Sequence, residues 1–368
     1  MHYKIPFADP YITRDDVNAV AKAVKEKMFS QGKYVQAFEA QFARYIGTKY
    51  AVAVSSGTAA LHVSLATISV RSGDEVIVPS FSFVATANCV LYQGAKPVFA
   101  DIDPLTYDIE PEQIKKKITN KTKAIIPVHY GGQPADMDSI REIAEKHHIC
   151  VVEDAAEALG ALYKGKKAGC LGDLNCFSFY PNKSVTTAEG GIITTNNEEL
   201  ALRMRMIRSH GQDKRYHHVM LGYNYKMTDI QAALGLVQLN RLDWIVEKKV
   251  ERANYYSEQI DKMCGNKIKI PYVAPYATHA YMFYAIRFQN RKIRDKAILE
   301  LEAKQVETRV AFPPIHLQPL YVDLYGYVKG HLAVTEKVFD TILCIPIYPH
   351  IAKEDQDYAL SVLKEVFK

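Results

Sequence analysis

The feature that most limits what this chain can fold into is an alternation. Short apolar runs recur at Tyr50–Val54, Glu75–Pro79, Pro97–Ala100, Ala124–His129 and Ile149–Val152. Before and between them lie stretches with helical spacing, at 35–46, 84–93 and 138–147. Strands that alternate with helices return by right-handed crossovers and build a mainly parallel sheet covered by helices. The expected class is therefore α/β, with strands buried on both faces and reading as nearly continuous apolar runs.

At 368 residues the chain is too long for one ordinary domain and suits a large domain plus a smaller one. The division predicted is a large domain over residues 1–245 and a small C-terminal domain over 246–368, the latter mixing β runs with helices near 292–305 and after Lys353. The formal charge of +5 comes without a dense basic stripe or interleaved aromatics, which argues against nucleic acid and suits a small anionic substrate. Six cysteines, none in a C-x-x-C pair, read as reduced thiols of a cytoplasmic protein. The first residues lack the apolar core of a signal peptide, and no apolar run is long enough to span a membrane. The N-x-S/T matches at Asn120 and Asn182 then carry no glycosylation meaning.

The chemistry concentrates in Phe177–Gly191, FSFYPNKSVTTAEGG. Lys183 stands on a turn between two strand-like runs, with the hydroxyl of Ser178 five residues before it. An amine held on a short turn, near donors for a phosphate, is the setting a Schiff-base lysine needs. Taken alone, such a lysine is more often a solvated surface charge. The second half of the signal is Asp154, at the carboxyl end of the Ile149–Val152 run, where ligands bind in open α/β sheets. A buried carboxylate there can keep a pyridine nitrogen protonated, although Asp is also a favoured helix cap. Upstream, Ser55-Ser56-Gly57-Thr58-Ala59 joins a strand to a helix, where amides converge on an anion or merely form a cap.

EDAAEALGA, FSFYPNK with TTAEGG, and LGYNYKMTDIQAA together resemble the DegT/DnrJ/EryC1/StrS family of sugar aminotransferases, pyridoxal-phosphate enzymes of aspartate-aminotransferase fold type. The likeness runs from about Ile5 to about residue 350. It implies a large domain with a mainly parallel seven-stranded sheet and a smaller α+β C-terminal domain. It further implies that Lys183 and Asp154 are catalytic, that Gly57, Thr58, Ala59 and Ser178 hold the cofactor phosphate, and that Phe83 stacks on the pyridine ring. Glu157 should face the same way as Asp154, one helical turn on, against the cofactor or the substrate. Asn224 should reach a partner's cofactor in a homodimer with shared sites, and Ser30 and His316 are substrate-side candidates. Lys226 replaces a common arginine, which removes the forked geometry of a guanidinium. The reaction implied is transfer of an amino group from glutamate to a nucleotide-linked keto-deoxysugar, with C-4 favoured over C-3. A dehydratase of the same family is the rival; some relatives of that kind carry histidine where Lys183 stands.

Other motifs carry less. Gly160–Lys167 nearly spells a P-loop but ends in lysine where magnesium needs Ser or Thr, and reads as a β-hairpin. No G-x-G-x-x-G is present, so a dinucleotide fold has no support. His217 and His218 are adjacent and would point apart, so no metal site is expected, and 212–222 reads as a mobile loop. A single long helix is expected from about Asp229 to Met263, broken by Gly265. The absence of a helix-turn-helix argues against a regulator that binds DNA.

Overall fold

The structure, a computed structural model, describes residues 3–27 and 29–367. Its centre is a seven-stranded sheet in the order Tyr50–Val54, Gly191–Thr195, Leu174–Ser178, Cys150–Asp154, Thr122–Ile125, Glu75–Pro79 and Lys96–Ala100. Gly191–Thr195 runs against both of its neighbours; the other pairings are parallel. Alternate side chains go to opposite faces. Val52 and Val54 pack into one apolar core with the helices Gly57–Thr67 and Ala85–Tyr92, while Ala51 and Ala53 join the opposite core with helix Lys33–Ile46. Both faces being covered explains why these strands read as unbroken apolar runs.

The C-terminal layer packs helices Leu242–Cys264, Arg291–Ala303 and Lys353–Glu365 on a small antiparallel sheet of Ile268–Lys269, Tyr284–Phe288 and Ile342–Ile345. Tyr256, Tyr284, Leu301, Leu343 and Leu363 fill its core. Ile5 joins that core as well, and its backbone bonds Gln305 and Glu307 on either side. Among the described residues no helix is long and apolar enough to cross a membrane.

Two expectations need correction. The long helix over 229–263 is two helices, Asp229–Asn240 and Leu242–Cys264, parted at Arg241. Its guanidinium is drawn to Asp16 at 2.8 Å and to Thr13, while Gln238 bonds Asp16 and the Tyr11 carbonyl. That distant anchor turns the chain where local propensity would continue it. The 212–222 segment is a short hairpin of Gln212–Lys214 against His217–His218. The first helix, Arg14–Lys25, is capped by Thr13, with Asp16 closing the capping box. The expected hairpin near Gly165 is present, Leu162–Tyr163 against Lys166–Lys167.

Candidate active site

The carboxyl ends of the parallel strands meet in a cleft of about 670 Å³. Strand Cys150–Asp154 ends there with Asp154, Leu174–Ser178 with Ser178, and the turn after it brings Lys183. Gly57 and Thr58 enter from the start of the first crossover helix, and Phe83 from the loop after Glu75–Pro79.

Asp154 is buried, and each of its oxygens has one donor. Thr86 Oγ1 donates to Oδ2 at 3.0 Å, and the Ala156 amide to Oδ1 at 3.2 Å. Burial pushes its pKa above the usual carboxylate range; those two donors, Lys183 and His129 pull it back. Such a carboxylate is short of positive charge, which a protonated ring nitrogen would supply. Lys183 sits on the turn with its backbone amide bonded to the Tyr180 carbonyl, and its Nζ is 3.5 Å from Glu157 Oε1. The other Glu157 oxygen accepts the Gly131 amide at 2.9 Å. Burial raises Glu157 too, opposed chiefly by the charge of Lys183. Residues 155–160 form turns, not the helix expected after Asp154. Glu157 nevertheless reaches the cleft, because the turns fold back toward Gly131.

The phosphate end is defined by close approach. A Cβ at Gly57 would fall 2.7 Å from the Ser178 Cβ and 3.0 Å from its Oγ, so only glycine lets this helix start beside Ser178. Gly57, Thr58 and the Ser178 hydroxyl form a cradle at a helix N-terminus, suited to an anion. Ala59 does not belong to it: its amide donates to Ser56 Oγ at 3.0 Å, which caps the helix, and Ala59 does not line the cleft. Phe83 is 56% exposed and meets Phe312 edge-on, leaving one aromatic wall open to the cleft. The amine, the buried acid, the open ring and the anion cradle fit a flat phosphorylated pyridine such as pyridoxal phosphate.

Three candidates lie elsewhere. His316 is 0% exposed, with Nδ1 2.7 Å from Ser80 Oγ and Nε2 3.2 Å from Glu336, so it braces the loop and does not line the cleft. Ser30 is exposed and bridges Thr228 through the backbone, outside the cleft. Asn224 is exposed beside Ser209, also outside it. Conversely, sequence reading passed over Thr86, Asn182 and Arg309, which do line the cleft. Thr86 stands inside an apolar helix, where one hydroxyl is a signal only once Asp154 is known to face it.

The model of the DegT/DnrJ/EryC1/StrS aminotransferase family matches residues 10–364. A GDP-perosamine synthase from Caulobacter vibrioides is 39% identical, with 99% of this chain and 98% of that one covered. The S. venezuelae DesV structure, in complex with a ketimine intermediate, is 32% identical with a TM-score of 0.94, covering 99% of this chain and 98% of that one. Spr1654 of Streptococcus pneumoniae, in a PLP-form, is 29% identical with a TM-score of 0.94 over 99% and 98% of the two chains. With a cleft that joins Lys183, Asp154 and Glu157 at the strand ends, and with this match over nearly its whole length, the chain belongs to the DegT/DnrJ/EryC1/StrS aminotransferase family and is a pyridoxal-phosphate-dependent sugar aminotransferase.

Proposed function

We propose that this enzyme transfers the amino group of L-glutamate to a nucleotide-linked keto-deoxysugar, at C-4. The observation that carries the reading is one amine, Lys183 Nζ, set against Glu157 in the cleft that Asp154 also lines. Pyridoxal phosphate, when bound, supplies an electron sink for the carbon that gives up the amine. Gly57, Thr58 and Ser178 hold its phosphate, and Phe83 covers its ring. Asp154, whose burial raises its pKa, would be the carboxylate that keeps a ring nitrogen protonated. Lys183 is the amine that would anchor the cofactor and, when free, the general base that would move the α-proton of the donor. Glu157 orients the freed amine. Arg309, in the cleft beside Glu307, is the cation available to an anionic group of the substrate.

The nucleotide sugar is supported by the GDP-perosamine synthase relative, whose name carries both nucleotide and sugar. The C-4 position rests on overall likeness to amino-sugar enzymes. A panel of nucleotide-linked keto sugars, run with glutamate and read by product NMR, tests both. A C-4 amino product is expected; a C-3 product or a dehydrated sugar without nitrogen would replace the reading. Lys183→Ala should lose turnover, and full turnover in that variant would remove the lysine from the mechanism.

The enzyme is proposed to be a homodimer with shared sites. Asn224 is exposed, and nearby Tyr216 and Leu221 are 80% and 79% exposed, a surface that a second copy would cover. Mixing Asn224→Ala with Lys183→Ala subunits should restore one intact site per heterodimer. No recovery would count against a shared site.

A further inference from the structure

A second amine stands behind the first. Lys249 lies on helix Leu242–Cys264 in a stripe otherwise made of Leu242, Ile245, Ala253, Tyr256 and Ile260. It is 4% exposed. Its Nζ donates to Ser184 Oγ at 3.3 Å, the residue next to Lys183. Among the described residues no carboxylate lies within 4 Å of it, although a buried lysine is normally paired. A chamber of about 20 Å³ is shared by Lys249, Ser184, Lys183 and Asn182. Asn182 Oδ1 is buried without a hydrogen-bond partner. Glu157 and Asp154 line the cleft, whereas Lys249 lines the chamber, whose one carboxylate among the described residues, Asp9, is paired with His350 at 2.9 Å; the buried His279 lies close enough to feel the charge of Lys249.

We infer that Lys249 is a positioning residue for Lys183, holding the turn through Ser184 and biasing the Lys183 amine toward Glu157 and the cleft. Among the described residues that line the chamber, Lys249 is the one cation besides Lys183. Glu157 lines the cleft and Lys249 the chamber, so attraction from the one and repulsion from the other both favour the cleft for the free amine. The two amines interact: burial, then the charge of Lys183, lowers Lys249 to about 8. This inference rests on Lys183 being the amine that binds the cofactor.

The test uses the apo protein first. Capture of pyridoxal phosphate by apo protein is followed by absorbance for wild type, Lys249→Met, Lys249→Arg and Ser184→Ala. Lys249→Met keeps the apolar stem and should slow capture and kcat about tenfold with KM within about twofold, as expected for a misplaced reacting group. Lys249→Arg should restore most of both rates, and Ser184→Ala should show a smaller loss of the same kind. Should Lys249→Met fail to fold, Ser184→Ala and Lys249→Arg carry the test. Wild-type capture rate and pH profile in Lys249→Met, or a Lys249→Arg as slow as Lys249→Met, would overturn the inference. Failure of the parent reading looks different: Lys183→Ala would then capture the cofactor as wild type does.

Discussion

Two carboxylates leave the same strand end side by side, and they live differently. Glu153 turns to one face, where it is fully buried and accepts from His129 Nε2 at 2.7 Å, from the Leu171 amide at 2.9 Å and the Gly172 amide at 3.1 Å, and from the Gly169 amide. Asp154 turns to the other face and has two donors, neither charged. Strand periodicity separates them. A saturated buried acid stabilises a fold, whereas a buried acid left short of charge is poised for a ligand that brings one.

Substitutions can break or sharpen that contrast. Asp154→Asn should cost turnover about a thousandfold, the scale of losing one aimed electrostatic group, while the urea midpoint holds steady. Glu153→Gln should do the reverse, costing about 3 kcal/mol of stability in urea unfolding while turnover per folded molecule stays near wild type. If both variants lost stability and activity in the same proportion, the two acids would not differ in kind.

A pH series adds a charge of the other sign. Lys249 has an ordinary value of 10.5 and is lowered to about 8 in the fold. Between those limits the unfolded chain binds a proton that the folded chain refuses, so stability should rise with pH across this window. The groups around Lys249 are Lys183, Ser184, His279, Asp9, Gln238 and Tyr348, and burial has already pushed His279 down to about 3. Apo wild type should therefore gain on the order of 2 kcal/mol from pH 8 to 10.5 relative to Lys249→Met. Parallel stability curves for the two proteins would show that the amine carries no such penalty.

Much of this was readable from the residues. The alternation of strand and helix announced the sheet, and the order of Asp154, Ser178 and Lys183 announced the cleft, since each follows a strand end. What escaped was set by contacts far apart in the chain. The break at Arg241 is caused by Asp16, 225 positions away. His316 read as a substrate-side candidate because nothing local reveals Ser80 and Glu336 closing over it. Ala59 was ambiguous for a smaller reason: an amide at a helix start can satisfy either a cap or an anion, and here it donates to Ser56.

The bond between the two ends of the chain has a consequence for biogenesis. Phe7, which forms one lip of the cleft, is tied by its amide to Glu307 at 2.9 Å, 300 positions later. Ile5 is laced into the same strip of backbone. During synthesis the leading segment must wait, unattached, until the ribosome has delivered residue 307. A chain cut short before residue 307 would therefore leave this lip of the cleft without its tie.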